Sequence, residues 1–535
     1  MVEIYSHMWY NKYMKQGGSG LKKRYLKSFT GRLITAAFFA VLQVVVFMAG
    51  IAALGNRWIA VSAVFNVLSV IVVVVIINTR RNPAYKLAWA LLILGMPLFG
   101  GLMYFVAALQ SSTIRFRKKA ASAKKIIRPY MKQNPAILDA MRAESRTKAN
   151  HATYLANKAD YPVYANTTAV YFPSGEDMFE WLLPEFERAR KFIFIESFII
   201  QEGLMWDSIF KVLLKKAREG VDVRVMWDGV GCMGTLPKNY DKTLEALGIK
   251  TCVFNPFMPI ATVIQNNRDH RKIIVIDGLT GLTGGVNLAD EYINAYDRFG
   301  HWKDSAILLR GDAVMSMTMT FLESWYMYKP ADPDPGRFIY RPLPNDFAYP
   351  AGAEGYVQPY ADTPLDGECV GELVYFNLIN KAKDYIWLTT PYLIPDNELV
   401  TALCFAAKSG IDVRIITPHI PDKWYVFEVT RSFYGELIDS GVKIYEYTPG
   451  FIHGKICVSD DSIAVVGSIN LDYRSLYLHF EDAALIYDCP AVADVKRDFM
   501  DTMSRSEEIT KEKYLKMRKR SGLLMSVLRV LAPLF

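Results

Sequence analysis

Two short stretches of the sequence hold residues that can do chemistry together. The first is His270-Arg271-Lys272, four apolar residues, Asp277, and then Gly284-Gly285-Val286-Asn287. The second is His453-Gly454-Lys455, four further residues, Asp460, and then Gly467-Ser468-Ile469-Asn470. They lie 183 residues apart and every internal spacing agrees. On a strand, side chains two apart share a face, so each His and Lys can converge on one anion. Gly284, Gly285 and Gly467 allow close backbone approach, while Asn287 and Asn470 add amide donors. A pocket fed by both stretches would hold two imidazoles, two ammonium groups and two amides. That set suits a phosphodiester, because cations and donors bind the charge that spreads over the transition state. One His can attack phosphorus while the other protonates the leaving oxygen. The lysines supply the charge, and no carboxylate cluster of the kind Mg²⁺ prefers accompanies them. Neither a metal nor another cofactor is expected. One such stretch is a weak signal, whereas two at equal offsets are a strong one. The other histidines, His7, His151, His301, His419 and His479, have no duplicated counterpart and are taken as structural or surface groups.

The elements that must carry these residues are duplicated too. Lys191 to Ile200 reads as an apolar, β-branched strand, Asp207 to Arg218 as a helix, and Gly220 to Met226 as the next strand. Asp384 to Leu393, Glu398 to Lys408 and Gly410 to Ile416 repeat that order, with Gly410 following Gly220 at a spacing of 190 residues. Alternating strands and helices predict largely parallel sheets covered on both faces. The expected fold class is therefore α/β, with two duplicated α/β/α domains, 161–329 and 365–510, forming one shared active site. The Pro-rich stretch 330–364 is expected to connect them. A chain of 535 residues is too long for a single core. Its six cysteines have no close pairs, which argues against a zinc ribbon or a disulfide framework.

Composition locates a different environment at the front. With 51% hydrophobic residues, disorder is excluded. The mean hydropathy of +0.10 is high for a purely soluble chain. Residues 33–56, 58–79 and 87–114 contain no Asp, Glu, Lys or Arg, and the first two are long enough to span a bilayer. The third is interrupted by Gly95-Met96-Pro97 and Gly100-Gly101, so it reads as a kinked span or a re-entrant segment. The expected membrane region is 33–114, preceded by a basic tail, 1–32, and followed by a basic linker, 115–160. Two spans with a re-entrant or interfacial third segment keep every basic cluster on the cytoplasmic side. Three full spans would place one cluster outside. At the other end, 511–535 is basic and then apolar. It is too short to span and reads either as an interfacial helix or as a helix docked on the protein's own core. The net charge of +8 divides accordingly. Residues 1–130 hold 18 Lys and Arg against Glu3 alone, 511–535 hold seven against Glu512, and the middle holds 37 against 52 acids. An acidic body with basic ends disfavours nucleic acid and fits contact with anionic membrane lipid.

The paired motifs resemble the HKD signature of the phospholipase D superfamily, and the chain as a whole is similar to its bacterial cardiolipin synthases. Asn82 to Trp89 with Pro97, Gly100 and Tyr104, Thr390 to Asp396, and Asn470 to Ser475 carry that resemblance further. Cys232, where a Ser commonly follows the Asp228-Gly-Val-Gly231 turn, and the third apolar segment depart from it. The resemblance implies two phospholipase D-like domains and a membrane-embedded transferase working on phosphatidylglycerol. One motif histidine would form a phosphatidyl-histidine and release glycerol, and a second phosphatidylglycerol would displace it to give cardiolipin. Hydrolysis to phosphatidic acid is the alternative outcome of the same motif. The expected catalytic set is His270, Lys272, Asp277, His453, Lys455 and Asp460. By analogy His270 is the nucleophile and His453 the acid and then base, although the near-symmetry of the halves leaves the order open. Asn287, Asn470, Gly285 and Ser468 would line the substrate. Asp304 and Glu481 lie 34 and 28 residues after the histidines of their own halves and would brace the imidazoles, a surface acid being the alternative for Asp304. Asp277 and Asp460 would pair with lysines or backbone rather than carry protons. The expected location is the bacterial plasma membrane, multi-pass, with the catalytic domain cytoplasmic; a homo-oligomer is compatible with the sequence.

Overall fold

The computed structural model describes residues 41–42, 45–46, 48–53, 55, 57–79, 82–97, 100–101, 104, 111–257, 263–332, 334–340, 353–530 and 532. The basic tail 1–32, much of the expected span 33–56, parts of 87–114 and residues 341–352 lie outside them. The chain divides into two compact units, residues 1–110 and 111–535.

In the first unit the longest helix is α1 (Arg57–Ile77). Among the described residues it is the one helix long and apolar enough to cross a membrane. Ile59, Val64, Val67 and Val75 on its surface are exposed. Asn82 caps α2 (Pro83–Gly95) by accepting the Ala84 N–H at 2.9 Å, with Pro83 at the first helical position, where its missing N–H costs nothing. The helix stops at Gly95-Met96-Pro97, where the sequence predicts a break. Val73 and Ile76 of α1 pack on Ala90 and Ile93 of α2, and Ser69 Oγ donates to the Pro97 carbonyl at 3.1 Å. At 13 residues α2 extends only about 20 Å, too short for a full span.

The second unit is built on two large sheets. The first contains β1 (Thr167–Phe172), β2 (Phe192–Ser197), β3 (Asp222–Asp228), β4 (Lys250–Phe254), β5 (Lys272–Ile276), β6 (Thr280–Gly284) and, beyond a short β7 (His301–Lys303), β8 (Ala306–Gly311). Their order is β1-β8-β6-β5-β2-β3-β4. The second contains β9 (Tyr356–Asp362), β10 (Tyr385–Thr389), β11 (Asp412–Pro418), β12 (Lys443–Tyr447) and, beyond β13 (Gly450–Ile452), β14 (Ile456–Ser459), β15 (Ile463–Gly467), β16 (Glu481–Tyr487) and β17 (Ser506–Glu508). Its order, β17-β12-β11-β10-β14-β15-β16-β9, repeats the first with one extra edge strand. The largest core fills the space between the sheets. It takes Phe194, Val275 and Phe321 from one half and Val458, Ile486 and Phe499 from the other.

Three expectations need correction. The sheets are mixed: β2-β3-β4 and β10-β11-β12 are parallel, but the motif strands β5 and β14 run antiparallel to both neighbours. The cause is local. Asp277 and Gly278, and equally Asp460 and Asp461, have φ between 51° and 73°. Two consecutive positive-φ residues make the tight turn that returns a strand antiparallel on itself. Second, the Pro-rich stretch is not all connection, because β9 within it pairs along β16 from Tyr356↔Tyr487 to Asp362↔Glu481. Third, the basic linker is folded. It forms α3 (Ser111–Ile127), α4 (Pro135–Glu144) and α5 (Arg146–Lys158). Phe116 is buried against Phe254 and Phe480, and Tyr154 donates to Glu368 at 2.8 Å.

Two expected helices are present as α6 (Leu204–Arg218) and α8 (Asn397–Lys408), with the buried α7 (Val314–Tyr326) between them in the chain. α6 begins three residues early because Asp290, distant in sequence, accepts the Leu204 and Met205 N–H groups at 3.0 and 2.9 Å. The C-terminal segment forms α10 (Lys511–Val530), which docks on α9 (Trp424–Asp439). Arg529 reaches the Ser432 carbonyl at 3.1 Å and Glu436 at 2.8 Å, Lys511 pairs with Asp439 at 2.7 Å, and Tyr514 lies on Gly435. Leu515, Leu523, Leu524 and Val530 remain exposed, beside the exposed Lys516, Arg518, Lys519 and Arg520, so the helix docks on α9 and its uncovered side mixes apolar and basic groups. A Cβ at Gly435 would sit 2.6 Å from Tyr514 ring atoms. Gly435→Val should therefore cost about 1–3 kcal/mol and release α10 to protease before the sheets unfold. Unchanged thermal unfolding and cleavage would show that the docking contributes nothing.

Candidate active site

The motif strands bring their histidines to the junction of the two halves by matched backbone contacts. The N–H of His270 donates to the Phe480 carbonyl at 2.8 Å, and that of Phe480 to the Arg268 carbonyl at 2.8 Å. In the mirror arrangement, β13 pairs in parallel with β7, and the His453 N–H donates to the Lys303 carbonyl at 2.7 Å. Each histidine is thus clipped to the opposite half, one residue before an acid. The acid completes the exchange. His270 Nδ1 lies 2.9 Å from Glu481 Oε2, and His453 Nδ1 lies 2.7 Å from Asp304 Oδ2. Reckoned along the sequence, each acid belongs to the histidine of its own half; in space the pairs are crossed.

The electrostatics follow from burial. Desolvation pushes His270 down to about 3, helped by the Lys272 charge and opposed by Glu481. It pushes His453 down to about 4, helped by Lys455 and opposed by Asp304. Burial also lowers Lys272 and brings Lys455 down to about 7. Burial would raise both carboxyls, but the paired imidazoles outweigh it and hold Asp304 and Glu481 below the usual carboxylate range. An ionised carboxylate on Nδ1 fixes the tautomer with the proton there and leaves the Nε2 lone pair for a substrate. Lys272 and Lys455 each donate to the carbonyl of their own motif histidine. An ammonium has three N–H donors, so each lysine keeps capacity for an anion.

The remaining expected residues separate. Asn470 is buried with no partner on its side-chain oxygen among the described residues. Asn287 is tied down, its amide donating to Tyr292 Oη at 2.7 Å and accepting the Ile199 N–H at 3.1 Å. A Cβ at Gly285 would lie 2.0 Å from Asp304 Oδ1, so only glycine admits that carboxylate. The matching Ser468 donates to Glu481 Oε2 at 2.5 Å. Both positions contact the bracing carboxylates. Asp277 and Asp460 lie apart from the histidines and lysines of their motifs. They sit at the far ends of their strands and each accepts three backbone N–H groups at 2.7–3.0 Å, from Arg190, Lys191 and Phe192 and from Lys383, Asp384 and Tyr385.

Sequence reasoning missed four contributors. Tyr292 and Trp302 pack on the His453 ring, with centroids 5.4 and 5.3 Å away. Asp482 accepts the Lys272 N–H at 3.1 Å and the Thr283 hydroxyl at 2.5 Å. His479, taken as structural or surface, lies beside His270 with ring centroids 5.7 Å apart. Its position two residues before Glu481, in the bend that leads into β16, was the available signal. His151, His301 and His419 stand elsewhere, His301 with Tyr447 and His419 with Glu446.

Known proteins with this arrangement are numerous. A family model described as "Cardiolipin synthase, PLD-like domain" matches residues 182–298 and 375–503, and one described as "Phospholipase_D-nuclease N-terminal" matches 58–108. A cardiolipin synthase of Geobacillus kaustophilus is 34% identical over 87% of this chain and 92% of its own. The chain belongs to the cardiolipin synthase family of phospholipase D-like proteins. Within that family, a Streptococcus mutans protein described only as uncharacterized is 42% identical, over 86% of this chain and 99% of its own. The phosphatidylserine synthase of Haemophilus influenzae shares the fold, with a TM-score of 0.55 at 16% identity over 73% of this chain and all of that one.

The bracing role of the motif aspartates has a measurable consequence. Asp460→Ala removes the acceptor of three N–H groups and leaves a non-glycine residue at positive φ without its local bonds. The loss should be about 2–4 kcal/mol, read as a lower thermal midpoint, with Asp277→Ala similar. A variant that keeps wild-type stability and loses only turnover would return the aspartate to the catalytic group.

Proposed function

We propose that the chain is a cardiolipin synthase, a phosphatidyltransferase that moves a phosphatidyl group from one phosphatidylglycerol to another, giving cardiolipin and glycerol. The observation that carries this reading is the pair of crossed His–carboxylate contacts beside two buried lysines. In-line displacement at phosphorus needs one ring nitrogen with a free lone pair and another that carries a proton to the leaving oxygen, and the two braced imidazoles can divide those roles. His270 Nε2 attacks the phosphorus, the P–O bond to glycerol breaks, and His453 gives its proton to the leaving oxygen. The hydroxyl of a second phosphatidylglycerol then loses its proton to His453 as it attacks, and the P–N bond to His270 breaks. Lys272, Lys455 and Asn470 hold the non-bridging oxygens, where negative charge builds. Asn287 acts through Tyr292, Gly285 and Ser468 through the carboxylates, and Asp304 and Glu481 by orienting the rings.

Exchange rather than hydrolysis requires that a lipid hydroxyl reach the intermediate before water. The basic ends and α1 support a multi-pass plasma-membrane protein, with 33–56 and 58–79 as spans and 87–114 as a re-entrant segment. The catalytic body, domains 161–329 and 356–510, then lies on the cytoplasmic side. Tethering there keeps lipid acceptors at high effective concentration, and the exposed leucines of α10 favour the same surface. Full-length protein with phosphatidylglycerol vesicles and a chelator should form cardiolipin and free glycerol, and His270→Ala and His453→Ala should each abolish it. Phosphatidic acid as the main product would replace the synthase with the hydrolase, and undiminished turnover in either variant would remove that histidine from the reaction.

The acid poses a problem that the substrate resolves. In the free site His453 at about 4 is neutral at pH 7, yet the leaving oxygen needs its proton. A phosphodiester anion set beside His453 and Lys455 offsets the mutual repulsion that lowers both. Their affinities for protons rise, so binding takes protons up and weakens as pH rises through about 7. Calorimetric binding of short-chain phosphatidylglycerol to His270→Ala, in two buffers of different ionisation enthalpy, should show uptake of up to about one proton. Heats independent of the buffer would refute this coupling.

A further inference from the structure

Beside the nucleophile and its carboxylate, the second half places His479, a side chain that the transfer reaction does not use. His270, His479 and Glu481 each place one donor atom within 4.8 Å of the other two. His270 Nδ1 is 2.9 Å from Glu481 Oε2, and His479 Nδ1 is 3.7 Å from Glu481 Oε1. Two imidazole nitrogens and a carboxylate on a tetrahedral Zn²⁺ are separated by about 3.3 Å, given metal–ligand lengths near 2.05 Å. The two separations run to different oxygens of the Glu481 carboxylate and lie on either side of that value, so the carboxylate would meet the ion with both oxygens or with a small rotation. Three atoms of the group, both ring nitrogens of His479 and Glu481 Oε1, are buried and have no hydrogen-bond partner among the described residues. Polar atoms in that condition cost free energy unless something meets them. The group is also asymmetric. The first-half counterpart of His479, two residues before the acid, is Trp302, whose ring packs on His453 and has no metal-binding nitrogen.

We propose that His270, His479 and Glu481 form a regulatory site for a borderline transition-metal dication of the Zn²⁺ class, and that its occupation switches the enzyme off. Two histidines and a glutamate are a recurrent donor set for such ions, with the fourth position left to solvent or anion. The chemistry of inhibition follows from the nitrogen engaged. Metal on His270 Nδ1 takes up the lone pair there, so the ring's single proton moves from Nδ1, where Glu481 accepts it, to Nε2 and none is released. The nitrogen that must attack phosphorus then has no lone pair. Lys272 opposes a dication nearby, but it sits among Glu481, Asp482, Asp304 and Asp269, so the surroundings are not net cationic. The inhibition, though not the binding, rests on the transferase reading above.

Full-length protein in detergent, stripped with a chelator, is titrated with Co²⁺, whose visible absorption reports a low-coordinate N/O site. Wild type should bind one equivalent with an intense band. His479→Asn and His270→Ala should each weaken binding by roughly tenfold or more, at least as much as loss of an outer partner does. In vesicles of phosphatidylglycerol, Zn²⁺ should inhibit cardiolipin formation and chelator should restore it. His479→Asn should need roughly tenfold or more Zn²⁺ for the same fractional inhibition of its own metal-free rate. Equal Co²⁺ affinity in wild type and His479→Asn, or acceleration by Zn²⁺, overturns the proposal. A Co²⁺ site present in protein that makes no cardiolipin supports the metal site and instead overturns the transferase reading.

Discussion

The crossed pairing of imidazole and carboxylate is the constraint on which the rest of the molecule depends. His270 needs Glu481 and His453 needs Asp304, so neither half can prepare its own histidine. This explains why the two sheets share one core, why β7 and β13 pair across the halves, and why the helices before the first sheet also pack on residues of both. A slip between the halves of even 1 Å would lengthen both charge-assisted contacts together, since such bonds tolerate little stretching. The cohesion of the body and the state of its catalytic groups are one problem.

Burial of so much charge is the second consequence. Two lysines, two histidines and the acids Asp304, Glu481 and Asp482 are all nearly inaccessible. An isolated buried ion is costly, so each must be answered by a neighbour. Asp304 and Glu481 are answered by the imidazoles and Asp482 by the Lys272 N–H and the Thr283 hydroxyl. The imidazoles are answered only in part by the acids, because the lysines push against them. The lysines therefore carry the residual penalty, seen in the lowered affinity of Lys455 for its proton. A site in this condition is completed by an anion, and the free energy that binding one releases is available for the reaction.

Much of this was legible in the sequence. The duplicated His, Lys and Asn could be read because strand periodicity and equal offsets leave few alternatives. The helices came out within three residues, and the break at Gly95-Met96-Pro97 was where backbone chemistry puts one. What could not be read depended on the third dimension. The antiparallel return of β5 lay hidden in the left-handed conformations of Asp277 and Gly278, which the sequence permits without announcing. The motif aspartates look catalytic beside a histidine and lysine, yet five strand residues at about 3.3 Å each carry them to the other end. The crossing of the acids has no local trace at all, since a carboxylate 34 residues downstream of one histidine reads the same whichever histidine it serves.

The two halves differ most where their roles should differ. His453 is enclosed by Tyr292, Trp302 and Phe451, with ring centroids 5.3–5.9 Å away, whereas His270 has Phe198 at 5.0 Å and the polar His479. Aromatic rings within about 6 Å stabilise a cation through their quadrupoles. The imidazole among three of them is better suited to hold a positive charge for part of the cycle, as an acid and base must. The imidazole beside His479 has only Phe198 for such help among the described residues, and in the transferase reading it works as the neutral species. Its charge appears only when phosphorus is bonded to it, and the phosphoryl oxygens then balance that charge. The aromatic enclosure thus favours His270 as nucleophile and His453 as proton carrier, an order that the repeated motifs by themselves leave open.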